Sequence, residues 1–192
     1  MRIIAGEAKG HTLFAPKGLD TRPTSDKIRG SVFNILGARV TDARVLDLFG
    51  GTGALALEAL SRGAESAVIV DASRAAVQAI ERNVAATVKR DPAGRVSVMK
   101  ADYRSAIAQT GRAFDLVFLD PPYRMTDAYE DALERLRAAG LLGPECRIVM
   151  ERLRAATATL PEGFEVYDTR TYGETAVDFV RIMTKEPPSA NA

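Results

Sequence analysis

Val45-Leu46-Asp47-Leu48-Phe49 is an apolar run that leads directly into the glycine-rich turn Gly50-Gly51-Thr52-Gly53. A run of this kind is typical of a buried strand, and residues 54–62 have the pattern of a helix. Glycines let the backbone turn sharply and approach a ligand where a Cβ would collide, and the helix start offers free N–H groups. The sequence therefore predicts a strand–turn–helix unit with a nucleotide-like cofactor at its turn.

The same alternation of strand and helix continues along the chain. We predict further strands at residues 66–70, 95–99, 114–119 and 146–150. A helix starting at Ser73 follows the strand at 66–70, and a helix marked by Tyr129, Leu133 and Leu136 follows the strand at 114–119. This order is typical of an α/β fold with a parallel sheet and helices on both faces. Two last strands, residues 164–171 and 175–183, leave no room for a crossover helix, so we expect an antiparallel hairpin at the sheet edge.

Two smaller elements precede the first of these strands. Residues 2–14 predict a small β-hairpin with a minor contribution to the core. A helix then starts at Thr24 or Ser25 and ends near Gly37, because apolar residues recur at helical spacing between them. At 192 residues the chain fits one domain. We assign that domain to residues 1–183 and a flexible tail to residues 184–192.

Composition excludes several classes of protein. No apolar run approaches the roughly 20 residues of a membrane span, and the first residues lack the apolar stretch of a secretory signal. The single cysteine, Cys146, cannot form an internal disulfide and has no neighbours at metal-ligand spacing. We therefore expect a monomeric cytoplasmic protein without a membrane or metal partner.

Charge is distributed unevenly although the net charge is only +1. Residues 1–40 carry a balance of +4, and the remaining 152 residues carry −3. A basic arm over residues 1–23, with Arg2, Lys9, Lys17 and Arg22, predicts that a polyanion docks at the amino-terminal end. A solvated basic face without a partner explains the same charges.

A second motif, Asp120-Pro121-Pro122-Tyr123, follows the predicted strand at residues 114–119. Catalytic groups of α/β sheets collect at such strand ends. Two prolines make a stiff turn, so Asp120 and a proline carbonyl become fixed hydrogen-bond acceptors beside the ring of Tyr123. An amino group on a flat heteroaromatic ring requires both features. A plain strand-to-helix turn is the alternative interpretation.

The glycine turn alone does not distinguish a nicotinamide cofactor from S-adenosylmethionine, because Gly51 and Gly53 with Asp71 also fit the dinucleotide pattern. Three features favour S-adenosylmethionine. Asp47, before the glycines, suits an ammonium group and would repel a pyrophosphate. Asp102 follows the third strand, where it can accept from an adenine amino group, and the Asp120 motif lies across the sheet from the glycine turn. Each acid taken singly also fits a helix cap.

These motifs together resemble the S-adenosylmethionine-dependent methyltransferases that modify amino groups of bases. The resemblance narrows to the bacterial small-subunit ribosomal RNA guanine-N2 methyltransferase family known as RsmD. It rests on five segments and covers about residues 1–183: Met1-Arg2-Ile3-Ile4-Ala5-Gly6, Thr21-Arg22-Pro23-Thr24 with Arg29-Gly30-Ser31-Val32-Phe33-Asn34-Ile35-Leu36, the glycine turn continued to Ala64, the Asp120 motif, and Thr171-Tyr172-Gly173-Glu174-Thr175.

The resemblance implies a seven-stranded Rossmann-like sheet and methylation of a guanine N2 amino group in 16S ribosomal RNA, at position 966 for the family type. It implies that the RNA is bound either naked or within a 30S assembly intermediate. It also implies residue roles. The methionine part of the cofactor is assigned to Asp47, Phe49, Gly51 and Gly53. Its ribose is assigned to Asp71 and its adenine to Asp102. The target guanine is assigned to Asp120, Pro121, Pro122 and Tyr123, and RNA to the arm through Arg22.

Three rival functions remain. A DNA adenine-N6 methyltransferase uses the same Asp-Pro-Pro-Tyr chemistry, but such enzymes normally carry an added recognition domain for which 192 residues leave no space. A nicotinamide-dependent oxidoreductase lacks an obvious hydride-relay acid here apart from His11, outside the main fold. An RNA-binding module without catalysis predicts decay of the pocket residues, and none is seen.

Overall fold

The structure, a computed structural model, describes residues 1–15 and 25–183. Its centre is a seven-stranded sheet in the order β3-β2-β1-β4-β5-β7-β6. The strands are β1 (Arg44–Asp47), β2 (Ser66–Asp71), β3 (Val96–Lys100), β4 (Phe114–Leu119), β5 (Leu142–Leu153), β6 (Phe164–Tyr172) and β7 (Thr175–Ile182). The first five are parallel, and β7 runs antiparallel to both β5 and β6. The predicted fold class is confirmed.

Helices cover both sides of the sheet, and all but the first connect parallel strands. They are α1 (Asp26–Leu36), α2 (Ala54–Ser61), α3 (Arg74–Thr87), α4 (Pro92–Arg95), α5 (Tyr103–Gln109) and α6 (Ala128–Ala138). Ser25 is the N-cap of α1, because its hydroxyl accepts from the N–H of Ile28 at 3.2 Å. Ser73 caps α3 in the same way, and this cap fixes where the chain leaves β2.

Alternating strand residues divide the core into two clusters, one on each face of the sheet. Phe118 and Val149 belong to the cluster that includes Phe33 of α1 and Leu57 of α2. Leu119 belongs to the other, which α5 and α6 cover with buried residues such as Leu133. Parallel sheets are normally covered by helices on both faces. The ends of the strands are then the part of the sheet that a ligand can reach.

The amino-terminal segment forms the predicted antiparallel turn, although Arg2 and Thr12 make its single β-bridge within the described residues. The expectation that it adds little to the core is wrong. Ile3, Ala8 and Leu13 are all buried in the cluster on the α1 and α2 face. Their burial holds residues 1–13 against the main fold.

Three local features differ from the sequence-based expectations. Helix α5 was not predicted, β1 ends at Asp47, and β5 is twelve residues long where five were expected. A register shift between Phe114 and Leu116 lets β5 pass Gly143 and Pro144 while staying paired to β4. Within residues 1–15 and 25–183, no helix combines the length and the apolar character needed to cross a bilayer.

Candidate active site

A cavity of about 440 Å³ opens at the carboxyl ends of β1, β2 and β4. Strand order reverses between β1 and β4, and clefts of α/β sheets form at such a switch point. Most of the residues singled out in the sequence line this cavity: Asp47, Phe49, Gly51, Asp71, Asp102, Asp120, Pro121, Pro122 and Tyr123. The fold thus gathers side chains that are as far as 76 positions apart in the sequence.

The glycine turn forms one wall of the cavity. Gly51 has a φ of 58°, a conformation that favours glycine, and a Cβ built there would meet no atom within 4 Å. Its backbone therefore faces open space, as a ligand cradle requires. Gly53 also has positive φ but does not line the cavity, since a Cβ there would approach Leu57 and Ile80. We assign Gly53 to the turn and the start of α2.

Asp71 connects the end of β2 to the glycine turn. One carboxylate oxygen accepts from the N–H of Gly51 at 2.9 Å, and the other accepts from the N–H of Ser73 at 2.8 Å. A carboxylate has about four lone-pair sites, so these two bonds leave acceptor capacity on the cavity side. Asp71 fits a pair of ribose hydroxyls while it also fixes the shape of the turn.

An aromatic pair closes the part of the cavity beyond Asp71. The rings of Phe49 and Tyr103 lie 5.4 Å apart, and the Tyr103 hydroxyl donates to Asp131 at 2.6 Å. Sequence reasoning missed Tyr103, although its place directly after Asp102 at the end of β3 was an available signal. Asp102 itself accepts from the N–H of Arg104 and caps α5, so one oxygen already has a structural partner.

Asp47 lies almost fully buried below the glycine turn, with 1% of the residue exposed. Burial raises its pKa to about 7; the N–H of Phe49 opposes this shift, and the charge of Asp71 adds to it. A carboxyl that titrates near neutral pH, in a cavity open on one side, is well suited to pair with an incoming cation. The ionised carboxylate of Asp47 therefore fits the ammonium group of S-adenosylmethionine as an acceptor of its N–H bonds.

The opposite wall is the loop after β4. Pro121 is buried and Tyr123 is 42% exposed, so the aromatic ring projects at the mouth of the cavity. The carbonyl of Pro122 accepts from the N–H of Met125 at 2.8 Å, which closes a tight turn. Since this bond occupies the Pro122 carbonyl, we assign the Pro121 carbonyl as the second acceptor beside Asp120.

Asp120 lies in a strongly anionic environment. Burial raises its pKa well above the usual range, and the neighbouring charges of Glu151 and Asp47 raise it further. Glu151 is 6% exposed on β5, where Leu119 and Met150 are register partners one position before the two acids. Two nearby carboxylates disfavour full ionisation of Asp120. Sequence reasoning missed Glu151, because its proximity depends on the register of β4 and β5.

The basic residues named in the sequence lie apart from this cavity or outside the described residues. Arg2 is exposed and approaches Asp26 at 3.8 Å, and Lys9 is exposed on the amino-terminal turn. Lys17 and Arg22 lie outside the described residues, as do Pro23, Thr24 and the predicted tail. Met1 and Arg124, which were not singled out as cofactor or catalytic residues, do line the cavity.

Known proteins resemble the whole chain. The model of the family described as "Conserved hypothetical protein 95" matches residues 1–181. Ribosomal RNA small subunit methyltransferase D of Escherichia coli strain K12 is 36% identical over 92% of this chain and 87% of its own length. The protein of the same name from Haemophilus influenzae is 30% identical over 90% and 89%. The solved structure of yhhF from Escherichia coli superposes with a TM-score of 0.82 at 34% identity, covering 96% of this chain and 99% of that chain.

Proposed function

The chain belongs to the ribosomal RNA small subunit methyltransferase D family, and from that premise we propose that it methylates the N2 amino group of a guanine in 16S ribosomal RNA. Position 966 is the nucleotide that the family resemblance implies, and we propose it as the target. One observation carries the proposal: the glycine turn with Asp71 and the loop Asp120–Tyr123 form opposite walls of one cavity. A methyl donor and a flat acceptor base then meet between them.

S-adenosylmethionine supplies an electrophilic methyl group on a sulfonium when it is bound. The chain's own groups hold its parts: Asp47 the ammonium, the N–H-rich turn at Gly51 the amino-acid part, and Asp71 the ribose. Tyr103 packs beside the adenine, with Asp102 as the acceptor for its amino group. Phe49, which the resemblance assigned to the methionine part, reaches the adenine side through its ring contact with Tyr103. Because a sulfonium is already a good leaving group, positioning and desolvation contribute most to the rate.

The guanine amine is a poor nucleophile, since its lone pair is delocalised into the ring. Asp120 and the Pro121 carbonyl accept its N–H bonds, draw the nitrogen toward tetrahedral geometry and stabilise the positive charge that develops on it. Tyr123 stacks on the base. A base reaches this position only when it is single-stranded or flipped out of a helix. The basic arm, including Arg2 and Lys9, binds the surrounding phosphates.

The test is methyl transfer to 16S RNA and to small ribosomal subunits from a strain in which this gene is deleted. We expect label from S-adenosylmethionine in N2-methylguanosine at one position, read by mass spectrometry of the RNA. Label in adenine of duplex DNA would replace this function with the rival DNA methyltransferase. Calorimetry that shows NAD binding and no S-adenosylmethionine binding would exclude methyl transfer altogether.

A further inference from the structure

A second, smaller cavity adjoins the main cavity at the loop that carries Tyr123. It holds about 20 Å³ and shares Pro122, Tyr123 and Met125 with the main cavity. Its other side is formed by Tyr129 and by a set of residues at and after the end of β5, which we call the facing wall: Leu153, Ala156, Thr157 and Ala158. The Tyr123 loop therefore borders both the cofactor cavity and the facing wall.

Arg152 connects the facing wall to the sheet through hydrogen bonds. Its guanidinium donates to the carbonyls of Ala156 at 2.6 Å and Leu153 at 3.3 Å. The other side of the same group pairs with Asp178, where two nitrogens lie 2.5 and 3.1 Å from the carboxylate oxygens. Asp178 is buried on β7 and also accepts from the Thr169 hydroxyl. A planar fork of this kind fixes backbone position more tightly than a single charge does.

A second bond holds the same segment between these two points. The N–H of Arg154 donates to the carbonyl of Glu174 at 2.7 Å, in the turn between β6 and β7. The Thr171–Thr175 segment, one of the motifs of the family resemblance, thus supports the facing wall. Because these bonds fix Leu153, Arg154 and Ala156, the first part of the facing wall is a defined surface and not a loose loop.

The shape of the facing wall suits a flat ring. Between Arg154 and Thr159 the chain has only Ala155, Ala156, Thr157 and Ala158, and the small side chains at the cavity lie opposite an aromatic ring. A cavity of 20 Å³ has space for about one water molecule, so a purine enters only when the Tyr123 loop moves outward. Tyr123 is 42% exposed at the mouth of the main cavity, so a base can approach its ring from solvent.

We infer that the facing wall and Tyr123 form a slot that receives the planar target base, with Arg152 as the positioning residue of that slot. The inference rests on the proposed function and specifies its substrate side. Stacking on Tyr123 holds one face of the base, and the small side chains of the facing wall contact the other. The base edge then points into the main cavity, which Asp120 lines.

Ala156→Leu and Ala155→Leu are a matched pair that tests the slot. Ala156 lines the smaller cavity and is half-buried, whereas Ala155 is exposed and does not line it. A leucine at position 156 fills the slot, so we expect kcat/KM for RNA to fall by more than about tenfold, since a well-packed site does not absorb added methylenes. Ala155→Leu should match the wild type, and both variants should retain wild-type affinity for S-adenosylmethionine.

Binding of a single-stranded RNA that contains the fluorescent analogue 2-aminopurine gives a readout that does not require methyl transfer. Stacking in the slot should quench its fluorescence in the wild type and in Ala155→Leu, and Ala156→Leu should lose the quenching. If wild type quenches the analogue yet methylates no ribosomal RNA, the proposed function fails and the slot stands. Equal kinetics and equal quenching in the two alanine variants would overturn the slot.

Arg152→Lys tests the positioning role, because lysine keeps a charge beside Asp178 but cannot bond both the carboxylate and the carbonyls. We expect KM for RNA to rise several-fold at unchanged affinity for S-adenosylmethionine, and Arg152→Met to have a larger effect. A loss of thermal stability in both variants without any change in KM for RNA would reduce Arg152 to a structural ion pair. Reduced cofactor affinity in Ala156→Leu would place the facing wall in the cofactor site and refute the slot.

Discussion

At the scale of single residues, Asp120 has the sharpest expected phenotype. Asp120→Ala removes an acceptor that contacts the amine and not the sulfonium, so we expect the rate of transfer to fall by about 10²–10³. Affinity for S-adenosylmethionine should stay near the wild-type value, because the cofactor contacts lie on the opposite wall. Single-turnover kinetics beside calorimetry measure the two effects separately. Full single-turnover activity in the variant would leave Asp120 as a turn residue only.

The raised pKa of Asp120 also gives a pH signature. Burial, Glu151 and Asp47 all favour its protonated form, in which one oxygen no longer accepts. The wild-type rate should therefore increase with pH through that raised pKa. Asp120→Asn keeps an acceptor oxygen that does not titrate, so its profile should lack this limb. An unchanged pH profile in Asp120→Asn would assign the limb to another group.

Because the pKa of Asp47 is raised, we expect the free energy of unfolding to depend on pH. Its pKa is about 7 in the folded protein, well above the ordinary aspartate value of 3.8. A carboxyl with a raised folded pKa contributes stability that is full below pH 4 and is lost as pH rises through 7. Asp47→Asn removes this loss and keeps an acceptor for the Phe49 N–H. In urea unfolding the variant should gain about 1–4 kcal/mol over wild type at pH 8 and far less at pH 5.

The same substitution should weaken binding of S-adenosylmethionine at pH 8, since the ammonium loses its carboxylate. Stability and affinity thus change in opposite directions, as expected of an acid that is retained for a ligand. An equal stability difference at pH 5 and pH 8 would contradict a raised pKa for Asp47.

At the scale of elements, the junction of β1 and α2 depends on close packing at Gly50. A Cβ there would lie 2.6 Å from Cγ2 of Ile69 and 3.0 Å from Cδ1 of Ile80. Gly50→Ala should therefore cost about 1–3 kcal/mol of unfolding free energy and shift the turn enough to weaken cofactor binding. Gly111→Ala is the control, because nothing lies within 4 Å of its added carbon. Equal melting temperatures for the two variants would show that Ile69 on β2 and Ile80 on α3 shift enough to make room for the methyl group.

Elements differ in how far the sequence predicts them. The strands and the glycine turn follow from local apolar runs and glycines, which need no knowledge of distant partners. Helix α5 was missed because its seven residues bury only Tyr103, Ala106 and Ile107, too few to establish a helical period. Its start is nevertheless encoded, since Asp102 is its N-cap.

The amino-terminal turn shows why other contacts could not be predicted. Glu58 on α2, fully buried, accepts from the N–H groups of Ile4 and Ala5 at 2.7 and 3.0 Å. The Ser61 hydroxyl donates to the Ala5 carbonyl at 2.6 Å. These partners lie more than fifty residues away in sequence, so charge and periodicity in residues 1–13 give no sign of them. Local patterning indicated a basic arm, and tertiary contacts make residues 1–13 of that arm part of the core.

At the scale of the whole molecule, the cavity and the amino-terminal turn are joined. Asn83 on α3 is buried and donates to the carbonyls of Phe14 and Thr52 at 3.0 and 2.9 Å. Thr52 belongs to the glycine turn, and its hydroxyl lies 3.5 Å from the sulfur of Met1. The described part of the basic arm is therefore attached directly to the cofactor wall. RNA docked on the arm would be held at a fixed distance from the methyl donor.

The last prediction concerns that arm and its +4 charge balance over residues 1–40. Neutralising Arg2, Lys9, Lys17 and Arg22 to glutamine should weaken RNA binding and flatten its dependence on salt, by about 0.7–0.9 in the logarithmic slope per lost phosphate contact. Affinity for S-adenosylmethionine should hardly change, since none of the described members of this set lines the cavity.

A matched quadruple variant provides the control for total charge. Arg39, Lys89, Arg112 and Arg181 are exposed near the amino ends of the parallel strands, away from the cavity. Replacing them with glutamine removes the same charge but should leave the salt slope close to wild type, because phosphate contacts and not net charge set the number of released counterions. RNA affinity measured at several salt concentrations decides between them. Equal slopes for the two quadruple variants would mean that the arm is ordinary solvated surface, and the RNA site would then have to centre on Tyr123 and Arg124.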